Sequence, residues 1–463
     1  MVKSRPLLPL LGLLVLFSRA APAEAEGKKR TFPDGEVITL EQAYDRTLET
    51  DQSIRIAFHE ARKANLLPWS ALTRVGPQIT ASASYSRSER ALKSSVLETS
   101  GSGLETLASQ VERTSHSRAG VGDVGFTIQQ PLIDFTVFPA YRYGKLSAEA
   151  ARLQHRFTVR ETLYGVATAY YEVLKQQRLV YVNRETFRLA NEQLDLAQKR
   201  SDVGEVTRSD VLRAKVTVET ARRDVVESEN ILELDRNTLS NILNLKPGTR
   251  FQLAEPPNYP TTLPAFDTLL QRAYSQREDL RVQEIAIDQE IAKRGEIVGE
   301  YGPRVVAQFD GDIAHTSGTS TNSTNNWQAG VSVQVPIFTG GQREIDLKTA
   351  KENIEQARLS REQAAKTVEA DVKQAWLTVR SLEETLKALR AQVEAADQGY
   401  QDLQNQYRAG TATSVDVLSA LNDLNTARKD LALQTYGYQV ALRNLEQTSG
   451  VFQAARVQTL KSR

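Results

Sequence analysis

Two short stretches carry a threonine and an aspartate at the same spacing, 206 residues apart (409 − 203). They read "VGEVTRSDVL" at 203–212 and "AGTATSVDVL" at 409–418. In a Thr-x-x-Asp pattern the threonine caps a helix N-terminus, and the acid returns to the backbone N–H of the threonine. Each stretch is therefore interpreted as a turn that leads into a helix. Asp210 and Asp416 are then expected to cap those helices.

Residue types that carry enzyme chemistry are sparse elsewhere. There is no cysteine, which excludes disulfides, thiolate metal sites and cysteine nucleophiles. The four histidines show neither metal-ligand nor catalytic-triad spacing, and no nucleophile motif is found. The sequence thus predicts no enzyme and no cofactor. The histidines are His59, His116, His155 and His315.

The segments that position the two turns also occur twice in the sequence. Residues 203–224 and 409–430 align without a gap, with 10 of 22 positions identical. Gly204 and Gly410 suit the left-handed position that ends a helix. Each half is predicted to contain helices, two strands and a long helical hairpin folded at its turn, which makes the protein mainly α-helical with a β portion.

The predicted organisation has five parts. Residues 1–25 are a signal peptide, 26–254 the first repeat, 255–264 a proline-rich linker, 265–450 the second repeat and 451–463 a C-terminal tail. Strands are expected at about 77–88, 121–131, 304–312 and 328–336, and hairpins at about 138–246 and 342–448. The signal peptide is predicted from the basic Lys3 and Arg5 and the apolar Leu7 to Phe17, with cleavage after Ala23 or Ala25.

The long helix of the second half shows a coiled-coil seam. Apolar residues recur at alternating steps of three and four from Leu347 to Tyr407, with one stutter and with Arg361 as the one polar exception. The matching seam of the first half is weaker, because it contains His155, Gln176 and Asn183, among other polar residues.

The strands alternate apolar and polar residues, as in "AGVSVQVP" at 329–336. Membrane barrel strands have this pattern, with lipid on one side and a lumen on the other. A small soluble sheet is the alternative. Because four strands cannot close a membrane barrel, several chains would have to combine their strands. Three chains give 3 × 4 = 12 strands, but this argument alone does not select three over two or four.

The doubled turns, together with "QQPLIDF" at 129–135 and "VPIFTGGQ" at 335–342, resemble the TolC family of outer-membrane efflux ducts. The resemblance covers nearly the whole chain after the signal peptide. It implies a homotrimer in outer-membrane lipid of a Gram-negative bacterium, with a 12-stranded barrel and an α-helical periplasmic tunnel. It also implies two protein partners, a periplasmic adaptor and an inner-membrane pump. The net charge of +1 gives no indication of nucleic-acid binding.

The resemblance further implies a periplasmic gate at the two turns. Asp416 matches a carboxylate ring in the lumen, where three copies would favour cations and raise each other's pKa. Asp210 and Tyr407 match a hydrogen-bonded pair that holds the closed state. Ser419 stands where the family has a second acidic ring position, and Ala412 where it has a locking arginine. The duct is therefore expected to be less cation-selective and less tightly closed than the best-known member.

Contact with the adaptor is implied for the residues around the turn glycines. They are Val203, Gly204, Glu205, Ala409, Gly410 and Thr411. Two alternatives to an efflux duct stay open at this point. One is the outer-membrane component of type I protein secretion, and the other is a soluble periplasmic coiled-coil protein.

Overall fold

The computed structural model describes residues 37–100, 107–246, 248–255, 263–318, 322–453 and 456. The predicted signal peptide, most of the predicted linker and most of the predicted tail lie outside the described residues. Within these ranges the chain forms long helical hairpins and one antiparallel sheet.

The first half begins with a short strand and three helices, continues into a strand hairpin and ends in a helical hairpin. Its elements are β1 (Val37–Ile38), α1 (Leu40–Thr50), α2 (Gln52–Ala64), α3 (Leu67–Leu72), β2 (Gln78–Ser100), β3 (Leu107–Ile133), α4 (Val137–Asp202), α5 (Arg208–Ile242) and β4 (Gln252–Leu253).

The second half repeats the helix–strand–strand–hairpin order. Its elements are α6 (Phe266–Gln276), α7 (Glu278–Gly299), β5 (Arg304–Gly318), β6 (Asn322–Gln334), α8 (Gln342–Arg408) and α9 (Ser414–Thr448). At 1.5 Å per residue, the 67 residues of α8 make a rod about 100 Å long.

The predicted seam of α8 is confirmed. All of its buried residues fall on seam positions, and they pack against α9, α7 and α6. They are Ala350, Val368, Val372, Ala375, Val379, Leu386, Tyr400 and Tyr407.

Helix α4 is more deeply buried than its weak seam suggests. It packs against α5, α7 and α9 and is covered by α1, α2 and α3, so several of its faces are enclosed. Two of the polar side chains that interrupt its seam make bonds to α5. Gln176 Nε2 donates to the Ser228 carbonyl at 3.0 Å, and Asn183 Nδ2 donates to the Asp224 carbonyl at 3.1 Å. Each bond satisfies a donor of a buried amide, which lowers the cost of burying it.

The four long strands form an antiparallel sheet in the order β2-β3-β5-β6. They run further than predicted: β2 and β3 have 23 and 27 residues, and β5 and β6 have 15 and 13. The strands predicted at about 77–88, 121–131, 304–312 and 328–336 were therefore too short at the ends that face each hairpin connection. Pairing continues from Gln78↔Gln129 to Ser100↔Leu107, because a backbone ladder does not require apolar alternation in the side chains.

A second sheet was not predicted from the sequence. Strands β1 and β4 pair in parallel through only two residues each, Val37↔Gln252 and Ile38↔Leu253. Ile38 is fully buried in the largest apolar cluster, which also contains Tyr170 and Leu239 of the first hairpin. Across the described residues, none of the helices has an apolar stretch long enough to cross a membrane.

Candidate functional site at the paired turns

The two hairpin turns have the same backbone geometry. Gly204 and Gly410 both adopt a φ of +80°, a region that favours glycine. After each glycine, the next N–H bonds back to the last helical turn. Glu205 N donates to the Arg200 carbonyl, and Thr411 N donates to the Gln406 carbonyl, both at 2.9 Å. This pattern is a Schellman motif, so the predicted role of the glycines in ending α4 and α8 is confirmed.

The predicted capping boxes are also present at both turns. Asp416 Oδ2 accepts from the Thr413 backbone N at 2.9 Å, and the Thr413 hydroxyl accepts from the Asp416 backbone N at 3.3 Å. The Thr207 and Asp210 pair repeats this arrangement at the start of α5. Two backbone N–H groups at the start of each helix, which have no partner within the helix, thereby gain hydrogen bonds.

Asp416 is the exposed acid of the second turn. Hydrogen bonds from the Thr413 hydroxyl and backbone lower the pKa of Asp416, so the carboxylate is charged at neutral pH. The Asp416 side chain is exposed.

Tyr407 differs from the other residues implied at the gate because it is buried. It is 1% exposed and packs in an apolar cluster at the tip, which also contains Leu189, Val417 and Leu421. Burial, and the charge of the nearby Asp210, raise the pKa of the Tyr407 hydroxyl. In the described part of the chain these two side chains form no hydrogen bond with each other: Asp210 Oδ2 accepts from Thr207, and the Tyr407 hydroxyl is buried without a partner.

The six residues expected to meet an adaptor are all exposed. They comprise Val203, Gly204, Glu205, Ala409, Gly410 and Thr411. Val203 is the most apolar of them and is 72% exposed. The structure therefore brings these residues together at one end of the molecule, on the surfaces of two turns that project side by side.

Arg200 is a residue of this site that sequence reasoning missed. It lies in the last turn of α4 and reaches the second turn, where Nη1 donates to the Tyr407 carbonyl. Its guanidinium carbon lies 4.6 Å from the centre of the Tyr407 ring, and Nε donates to Glu205 Oε2 at 2.8 Å. The only sequence signal was a basic residue in a final helical turn, because its partner lies 207 residues away.

The sheet forms a second candidate site, at the other end of the hairpins. One of its faces collects exposed apolar side chains from all four strands. The register places Ala81 beside Phe126, Gly311 beside Phe126, and Trp327 beside Gly311. Other exposed members of this apolar face are Ile79, Tyr85, Val124, Ile313, Val331 and Val333.

The opposite face is polar, and its strands contribute Thr127, Asp310, Gln328 and Asn326. Asp310 accepts from the Thr127 hydroxyl, and Asp312 accepts from Asn326 Nδ2 at 3.1 Å. Among the described residues, the outer edges of β2 and β6 pair with no strand.

The described chain thus combines a four-stranded sheet that has one apolar face with two very long helical hairpins. The chain belongs to the outer membrane efflux protein family, whose profile matches residues 43–245 and 269–451. The two matched segments correspond to the two repeats. The resemblance seen in the sequence is thus confirmed.

Individual relatives agree with this assignment. The outer membrane efflux protein BepC of Brucella suis biovar 1 is 27% identical over 312 residues, which is 65% of this chain and 66% of BepC. The alkaline protease secretion protein AprF of Pseudomonas aeruginosa is 24% identical over 344 residues, covering 71% of this chain and 69% of AprF. The chain therefore spans about two thirds of the length of these relatives.

Solved structures support the fold. The outer-membrane channel OprN superposes with a TM-score of 0.71 at 21% identity, covering 89% of each chain. The predicted fold class, mainly α-helical with two structural repeats, is confirmed by this match.

Proposed function

We propose that this protein is the outer-membrane exit duct of a tripartite efflux system, and that three copies combine their sheets into one 12-stranded barrel. The observation that carries the proposal is the sheet, with its exposed apolar face and its two unpaired edges. In water, such a face and such edges favour aggregation. In lipid, the apolar face is solvated, but every backbone group must still be paired within protein.

Joining copies edge to edge resolves both requirements. The β6 edge of one copy pairs with the β2 edge of the next, and closure of the ring leaves no free edge. The polar face, with Asp310 and Asp312, then lines an aqueous lumen. The hairpins extend from the same end of each sheet into the periplasm and form a tunnel about 100 Å long.

The paired turns form the periplasmic mouth of this tunnel. Asp416 of each copy faces the lumen as a ring of three carboxylates, which favours cations. Asp210 at the start of α5 and the buried Tyr407 at the end of α8 lie where the mouth closes. The exposed turn residues around Gly204 and Gly410 meet the helical tips of a periplasmic adaptor, which connects the duct to an inner-membrane pump.

Efflux is favoured over other transport by the similarity to the efflux protein BepC. Protein export is the second candidate, favoured by the similarity to the protease secretion protein AprF. Either activity uses the same passive duct, and neither needs a catalytic residue in this chain.

Growth of a strain that lacks the gene distinguishes the two candidates. We expect the deletion to sensitise cells to dyes, detergents and hydrophobic antibiotics, and the restored gene to reverse the effect. Normal growth, combined with the loss of a protein from the culture medium, would instead assign the duct to protein secretion.

A further inference from the structure

We propose that Arg200 is the residue that holds the two hairpin turns together and thereby stabilises the closed mouth of the duct. This inference rests on the proposed function, because it assigns a gate role to a contact at the tunnel tip. It also concerns the closing contact that this chain lacks at Ala412, which occupies the position of the family's locking arginine.

Three groups from two segments of the chain contact the Arg200 side chain. The Tyr407 carbonyl and ring lie on α8, whereas Glu205 lies in the turn after α4. The guanidinium group is planar and can stack on a ring while its edges donate hydrogen bonds, which a lysine cannot do. The Arg200 side chain is only 16% exposed, so its bonds are partly shielded from water.

The contact joins the ends of α4 and α8, which also contribute side chains to the apolar cluster at the tip. Helix α4 packs mainly on α5, α7 and α9, and α8 packs mainly on α9 and α7. Arg200 crosses from the end of the first hairpin to the end of α8 in the second. A β-carbon on Gly410 would lie 3.7 Å from Arg200 Nη2, so the side chain also reaches the second turn itself.

The position is electrostatically favourable as well. Carbonyls in the last turn of a helix carry partial negative charge, and a cation beside them is stabilised. Arg200 supplies that cation to the C-terminus of α8 from another helix. Glu205 accepts a hydrogen bond from the other edge of the guanidinium group, so the Arg200 charge has an acceptor on both sides.

Ala412 cannot supply the same link. Its methyl group is half-buried against the apolar cluster of the tip and carries no charge. Moving the second hairpin away from the first would break the Arg200 bonds to Tyr407 and expose the buried Tyr407 ring. The closed mouth is therefore stabilised from the α4 side, and the expectation of a weak closed state no longer follows from Ala412 alone.

The test compares Arg200→Ala, Arg200→Lys and the control Arg184→Ala in single-channel recordings of the purified protein. Arg184 is also an arginine of α4, but its ion pair with Glu229 is exposed and lies within the first hairpin. We expect Arg200→Ala to raise the ratio of open to closed states about tenfold, which equals about 1.4 kcal/mol. Arg200→Lys should give a smaller rise, and Arg184→Ala should match the wild type.

Hydrogen exchange separates failure of this inference from failure of the proposed function. Loss of the Arg200 contacts should speed exchange at 198–211 and 404–417 in Arg200→Ala, and not in Arg184→Ala, whether or not the protein conducts. Wild-type gating together with wild-type exchange in Arg200→Ala would overturn the inference. If exchange is faster at both turns but the protein forms no channel, the Arg200 contact is supported and the proposed duct function is refuted.

Discussion

Arg160 of the first repeat and Glu278 of the second form a buried ion pair, with 2.7 Å between Nη2 and Oε1. The two side chains are 6% and 8% exposed. Arg160 also donates to the carbonyl of Gly450, the second residue after α9. The Arg160 side chain of α4 thus contacts both the start of α7 and the segment after α9, and so connects the two repeats.

Removing Glu278 should destabilise the protein strongly, because Arg160 would be left as an unpaired buried charge. We expect Glu278→Ala to cost about 3–5 kcal/mol. The control Glu229→Ala removes the exposed partner of Arg184 and should cost no more than about 1 kcal/mol. Denaturant unfolding of both variants measures the difference, and equal costs would show that the buried pair has no special role.

The two faces of the sheet should respond differently to charge. Val331 is exposed on the apolar face, and its neighbour Ser332 points to the polar face. We expect Val331→Lys to lower the yield of membrane-assembled protein, with a cost of up to about 2–4 kcal/mol for a lysine facing lipid.

Ser332→Lys is the matched control, since it adds the same charge one residue away. Membrane fractionation of the two variants provides the readout. If both assemble equally well, the apolar face does not contact lipid.

The turn surface should be sensitive to added charge if it contacts an adaptor. Val203→Glu and Ala409→Glu change exposed residues with negative φ, so they leave the turn backbone unstrained. We expect both variants to lose adaptor pull-down while the oligomer stays intact. Ala370→Glu, at an exposed site far from the tip of the same helix, should bind normally. Adaptor retention by both tip variants would place the contact elsewhere.

The Asp416 ring should govern ion selectivity at the mouth. We expect Asp416→Ala to reduce the preference for cations, and Ser419→Asp to increase it by restoring a second acidic position. Because the Thr413 bonds lower the pKa of Asp416, the preference should persist when the pH falls below the ordinary aspartate pKa. It should be lost as the pH falls through the lowered value. Reversal potentials across a salt gradient measure this, and unchanged selectivity in Asp416→Ala would exclude the ring.

Much of the architecture could be predicted because it is periodic. The α8 seam fixes which residues are buried, and the Gly–Thr–Asp spacing fixes both turns, since each feature depends on residues close together in the chain. Strand ends were less predictable. Beyond Tyr85, β2 carries no regular apolar alternation, and the ladder continues through backbone pairing that leaves no side-chain pattern.

Contacts between distant residues were not predictable. The two-residue strands β1 and β4 are too short to show any alternation. Arg200 and Tyr407 lie 207 residues apart, and Arg160 and Glu278 lie 118 apart. The sequence around an arginine in a long helix does not show whether its side chain faces water or a distant carbonyl. The gate residues suggested by resemblance were placed at the tip, but the side chain that connects the turns emerged only from the structure.

The most direct test of the duct is the conductance of the detergent-extracted wild-type protein in a planar lipid bilayer. A trimeric duct should insert and give uniform, discrete current steps. A protein that remains a soluble monomer and gives no steps in the bilayer would contradict the account.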